Sequence, residues 1–139
     1  MPHFIDILEP HYKKLLASCE RQKISVNLDI QDLTVNIRDA SPVDNFLESE
    51  IRRALRNCKA GDKITLAEAS DSQNIKISIK NSGRATLTDS EKAALREQGY
   101  EVSARFGYDT VVSINVSRYY CEISARRLWR CALPPSFRP

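Results

Sequence analysis

Between residues 41 and 58 the apolar positions are Val43, Phe46, Leu47, Ile51, Ala54, Leu55 and Cys58. Recurrence at three and four residues predicts a helix with one buried stripe. Ser41 stands at the N-cap position, Pro42 at the first helical position, and Asp44 where a capping carboxylate belongs. Gly61 supplies the C-terminal stop. Two runs with a period of two follow, residues 64–69 and 75–80, divided by the polar turn Ser70-Asp71-Ser72-Gln73-Asn74. They predict a hairpin, and Asn81-Ser82-Gly83 closes its second strand.

The remaining elements follow from the same patterns. Residues 10–21 predict a short amphipathic helix, with Tyr12, Leu15, Leu16 and Cys19 on one side and Lys13, Lys14 and Glu20 on the other. His3 falls in a terminus expected to fray. Residues 24–30 and 33–37 alternate about Gln31-Asp32 and predict a strand pair with one wet face. Thr88-Asp89-Ser90-Glu91 is a capping box opening a helix over 89–98, with Ala93, Ala94 and Leu95 as its apolar face and Gly99 as its end. Residues 100–106 and 110–116 predict a closing hairpin. Helices thus alternate with hairpins. That order predicts an α/β fold, a two-layer sandwich with a mixed, largely antiparallel sheet covered by helices on one face.

Composition changes this picture little. The chain has 139 residues, enough for one domain with a sizeable core, and 42% hydrophobic with 28% charged residues is ordinary for a soluble protein. A net charge of +3 neither demands nor excludes an anionic partner. No apolar run has the length to span a bilayer and no signal-peptide pattern opens the chain, so a cytoplasmic location is expected. The four cysteines, Cys19, Cys58, Cys121 and Cys131, form no CxxC pair, and with two histidines the usual zinc spacing is absent. Buried, reduced thiols are the expectation.

The unit formed by the long helix, the hairpin and its glycine turn resembles the ATP-binding domain of histidine kinases and the wider GHKL (Bergerat-fold) ATPases. Leu55-Arg56-Asn57-Cys58-Lys59-Ala60 is similar to the family's Asn-Ala-x-Lys box, whose asparagine holds Mg²⁺. Asn81-Ser82-Gly83-Arg84-Ala85 stands where the family has Asp-x-Gly-x-Gly, whose aspartate recognises adenine. Gln98-Gly99-Tyr100-Glu101-Val102 and Gly107-Tyr108-Asp109-Thr110-Val111 resemble the closing hairpin, usually Gly-Gly-x-Ile and Gly-x-Gly-Thr. The resemblance spans residues 10–117. It divides the chain into an N-terminal helix (1–22), read as a possible remnant of a dimerisation hairpin, a GHKL-like domain (23–117) and a basic, aromatic extension (118–139). His11 is not followed by the acidic residue of the family's phosphoacceptor motif, and an exposed or helix-start histidine is the better reading.

By this resemblance, a retained nucleotide site comprises Asn57, Asn81, Gly83 and Thr110, with Asn57 on Mg²⁺. The sequence departs from the family at the points that matter. Asn81 lacks the charge of the adenine-reading carboxylate. Ala85 and Asp109 replace glycines, and only four residues, none of them glycine, separate Gly83 from Thr88 where the family has a long lid. ATP-hydrolysing relatives carry a glutamate four residues before the helix asparagine; here it is Arg53, and Glu50 is expected on a different part of the helix.

The leading expectation is a noncatalytic, kinase-like regulatory or adaptor module of a two-component type. It acts by protein–protein contact, with a response-regulator-like or kinase-like partner or as a homodimer, and needs no cofactor. Candidate contact residues are Tyr12, Leu15, Leu16, Tyr119, Tyr120 and Trp129, with Arg126, Arg127 and Arg130 beside them, since interfaces favour Tyr, Trp and Arg. The same apolar residues would equally complete the domain's own core. The alternative is a trimmed GHKL domain that still binds Mg-ATP. A third reading, nucleic-acid binding through the Arg126–Arg130 cluster, is disfavoured by the modest net charge.

Overall fold

The structure, a computed structural model, describes residues 3–82, 87–104 and 109–117. Five strands, β1 (Ser25–Ile30), β2 (Lys63–Ser70), β3 (Asn74–Asn81), β4 (Glu101–Ser103) and β5 (Thr110–Ser117), form one sheet in the order β1-β2-β3-β5-β4. The helices are α1 (Phe4–Gln22), α2 (Ala40–Asn57) and α3 (Asp89–Glu97). β1 and β2 are parallel, and the other three pairings are antiparallel. This is the mixed, largely antiparallel sheet expected from the sequence. The single parallel pair follows from α2, which carries the chain from the end of β1 back to the start of β2.

The register sorts side chains by face. Ile64 and Leu66 of β2, Ile75, Ile77 and Ile79 of β3, and Val112 and Ile114 of β5 are buried against the helices. α2 adds Val43, Phe46, Leu47, Ile51 and Ala54, and α1 adds Phe4, Ile7, Leu8, Leu15 and Cys19 to the same core. Lys76, Ser78 and Lys80 point to the other face, where Ser78 and Ser113 share a hydroxyl–hydroxyl hydrogen bond of 2.7 Å. Cys19 and Cys58 are free and buried, as expected; Cys121 and Cys131 lie outside the described residues.

Several expectations are corrected. Residues 33–37 do not pair with β1; Asn36 makes an isolated bridge to His3. Their carbonyls serve the first turn of α1 instead, with Phe4 N donating to Val35 O at 2.8 Å and Ile5 N to Leu33 O at 3.0 Å. Those N–H groups have no partner inside their own helix. Val35 and Ile37 are nevertheless core residues. Their alternation reports burial, not sheet.

α1 also starts six residues earlier than expected and runs through Pro10. His3, far from frayed, is its N-cap, with Nδ1 2.7 Å from Thr34 O. The cap of α2 is Asp39, which accepts from Ser41 N, and not Ser41. Thr88 and Glu91 form the expected capping box on α3. However, Ala93 and Ala94 are exposed and only Leu95 packs on the core, because α3 sits at the β4 edge and not over the sheet.

Candidate functional site

The strands and α2 deliver the sequence-predicted site residues to one end of the sheet. Asn57 is the last residue of α2 and is half-buried. The next residue, Cys58, donates its Sγ–H to Ser82 O at 3.2 Å, which ties the end of α2 to the end of β3. Asn81 closes β3 and stands directly across from Thr110, the first residue of β5. Both are buried, at 1% and 3% exposure. Asn57, Asn81 and Thr110 therefore converge. Gly83, Arg84, Ala85, Gly107 and Tyr108 lie outside the described residues.

The centre of this site is a network that the sequence reading missed. Arg53 Nε donates to Glu50 Oε1 at 2.7 Å, and Arg53 Nη1 donates to Asn81 Oδ1 at 3.3 Å. Glu50 and Arg53 are 3% and 6% exposed, so the pair is inside the protein. Glu50 is thus not on another part of the helix from Arg53. Positions three apart share a face, and both fall within the buried stripe of α2. The signal was present in the helical spacing: Glu50 sits four residues after Phe46 and four before Ala54, both fully buried.

Aromatic packing closes one side. Phe46 and Tyr100 meet edge to face at 5.1 Å. Burial, and then the Glu50 charge, pushes the Tyr100 hydroxyl above its ordinary value. At the start of α3, Glu91 accepts from Thr88 N at 3.1 Å, and the Thr88 backbone and hydroxyl bonds hold its carboxyl below the usual range. The charges of Arg56 and Arg53 act in the same direction, which places the start of α3 within electrostatic reach of this end of α2.

This geometry restricts the chemistry. A guanidinium is a donor with no acceptor, so Arg53 cannot serve as a general base where hydrolysing relatives carry a carboxylate. It also occupies one of the two acceptor positions of the Asn81 oxygen. The Asn81 amide nitrogen turns back to Ser82 O at 3.5 Å. Among the described residues no group of three His, Cys, Asp or Glu side chains converges to hold a metal.

The partner-contact candidates separate. Leu15 is fully buried and belongs to the core, which corrects its assignment to a contact surface. Tyr12 is half-buried against that core, and Leu16 is 43% exposed. Tyr119, Tyr120, Arg126, Arg127, Trp129 and Arg130 lie outside the described residues. His11 is neither exposed nor at a helix start: it lies inside α1, 2.5 Å from Asp44 Oδ1, in a groove of about 400 Å³ between α1 and α2.

No model of a known protein family matches the sequence. No curated protein matches it by sequence either. The fold does match solved structures. The catalytic domain of the histidine kinase ThkA superposes with a TM-score of 0.67 at 10% identity, over 84% of this chain and 94% of that one. The Acinetobacter baumannii histidine kinase AdeS gives 0.64 at 18% identity, over 84% of this chain and 66% of the other. ThkA in complex with the response regulator TrrA gives 0.69 at 10% identity, over 87% of this chain and 42% of the kinase. The chain therefore has the fold of histidine-kinase catalytic domains. Among the described residues no helix is long and apolar enough to cross a membrane.

Proposed function

We propose that this chain is a noncatalytic, histidine-kinase-like signalling module that works in the cytoplasm by binding another protein. The observation that carries the reading is the Glu50–Arg53–Asn81 network, which fills from within the place where the family reads adenine. A nucleotide read at Asn81 would compete with the buried Arg53 guanidinium for the Asn81 oxygen, and moving that guanidinium aside would weaken the counter-charge of Glu50. The kinase fold is left with its docking surfaces. The solved complex of ThkA with its response regulator supports a protein of that kind as the partner.

The competing reading is a trimmed domain that still binds Mg-ATP through Asn57, Asn81, Gly83 and Thr110. Calorimetric titration with Mg-ATP separates the two. Neither saturable heat nor phosphate release is expected from the wild-type chain. Saturable binding that disappears in Asn57→Ala would establish the competing reading.

A further inference from the structure

The sheet has two edges, and only one is blunted. β4 forms the first with three residues, and its Glu101 carboxylate lies 2.7 Å from Lys76 Nζ. Brevity and charge are the usual means of discouraging strand addition. β1 forms the other edge with six residues, no proline and a single charge, Asp29. No described strand pairs with its outer side, so its backbone N–H and C=O groups face outward as a template.

The apolar surface gathers at that same edge. Val26, Leu28 and Ile30 stand beside Ile64, Leu66 and Glu68 of β2, on the helix-covered side of the sheet, yet Leu28 is 40% exposed. On α1, Ile5, Tyr12 and Leu16 share one stripe by helical spacing. Pro10, His11 and Lys14 line the side of α1 that faces α2. The stripe therefore occupies the opposite flank, and because α1 packs on both α2 and β1, that flank overhangs the β1 edge. Ile5, Leu16 and Leu28 are the exposed large hydrophobic residues among those described, and they border one edge.

We infer that β1 is a self-association edge: two copies of the chain pair β1 with β1, antiparallel, about a two-fold axis at Leu28. The strand is self-complementary in that register. Leu28 meets its own copy, Val26 meets Ile30, and Asn27 meets Asp29. Each carboxylate thus faces an amide donor and never its like charge, the arrangement that stabilises cross-strand pairs. The axis stands perpendicular to the sheet, so both helix layers stay on one side. The Ile5–Tyr12–Leu16 stripes then meet above the joined strands, in the isologous contact that closed dimers use.

The test is the solution mass of the full chain, by light scattering after size exclusion, with cysteine cross-linking. The wild type is expected at twice the chain mass, and Leu28→Lys and Leu16→Lys at the chain mass with unchanged circular dichroism. Leu28→Cys is expected to give a covalent dimer under mild oxidation beyond any wild-type background. Directly opposed residues in such a pair lie about 4.5–5.5 Å apart at Cα, within disulfide range. Val102→Cys on β4 is the control and stays uncross-linked. A monomeric wild type, which would leave the edge to a strand of another protein, overturns the inference. So does a dimer that survives both lysine variants, or cross-linking at Val102→Cys equal to that at Leu28→Cys. Chain mass is read without nucleotide or partner, so this outcome is independent of the proposed function.

Discussion

Arg53 and Glu50, one turn apart on α2, form a buried ion pair with Nε and Oε1 separated by 2.7 Å. Arg53 reaches a second partner, Asn81, on β3, while its Nη2 is buried with no hydrogen-bond partner among the described residues. Two charges taken out of water gain stability only when every remaining donor and acceptor is met. Among the described residues one donor, Arg53 Nη2, is not met. The pair is therefore a poor device for stability and a good one for filling a cavity with a group that fits only this arrangement.

Breaking the pair is expected to cost more than replacing it. Arg53→Ala leaves Glu50 buried without a counter-charge and should destabilise by about 3–5 kcal/mol. The double variant Glu50→Met/Arg53→Leu, with no charge left to bury, should lie close to the wild type or above it. Asn81→Leu removes the acceptor of Nη1 and should cost about 1–3 kcal/mol. Urea unfolding of all three, read by circular dichroism, checks the ranking; an Arg53→Ala variant as stable as the double variant would contradict it.

Leu15, which its sequence pattern offers equally to a partner or to the core, is fully buried. Leu15→Ala should lose about 2–5 kcal/mol through transfer and cavity terms. Lys13→Ala, on the exposed side of the same helix, deletes an ion pair with Glu9 at 3.1 Å and should change stability by less than about 1 kcal/mol. Paired denaturation curves at one protein concentration give both values.

The cap of α3 should respond to acid. The folded pKa of Glu91 lies below its ordinary value of 4.5, so its contribution is present above that value and fades as pH falls through the folded one. Between pH 6 and pH 3 the melting temperature of the wild type should fall more steeply than that of Glu91→Gln. Thr88→Ala should cost about 1 kcal/mol at neutral pH, the usual loss for an N-cap hydroxyl. Parallel melting curves with superimposed slopes would show that the capping box contributes nothing.

Cys58 is expected to be a slow nucleophile. Burial, and then the Asp62 carboxylate, pushes its thiol up from 9.0 to about 11. Since the thiolate is the reactive form, alkylation at pH 8 should label Cys58 far more slowly in the folded chain than in urea, as followed by peptide mass mapping. The raised value means that the associated stability is intact below pH 9.0 and is lost as pH rises toward about 11. Cys58→Ala should lack that alkaline decline.

The sequence by itself determined the elements whose signals are local. The stripe of α2, the β2–β3 hairpin and the Thr88–Glu91 capping box depend on spacing within a dozen residues, and their order was enough to point to the kinase-like fold. Tertiary structure decided the rest. Alternation at residues 33–37 shows which side chains are buried but not what the backbone bonds to, and the open N–H groups of α1 claimed it. Helical spacing places Glu50 and Arg53 on one face, yet only the fold brings Asn81, 28 residues beyond Arg53, to the guanidinium. The β1 edge is decided in the same way: a strand's neighbours are fixed by the whole sheet, and no pattern inside Ser25–Ile30 states that, among the described strands, only β2 pairs with it.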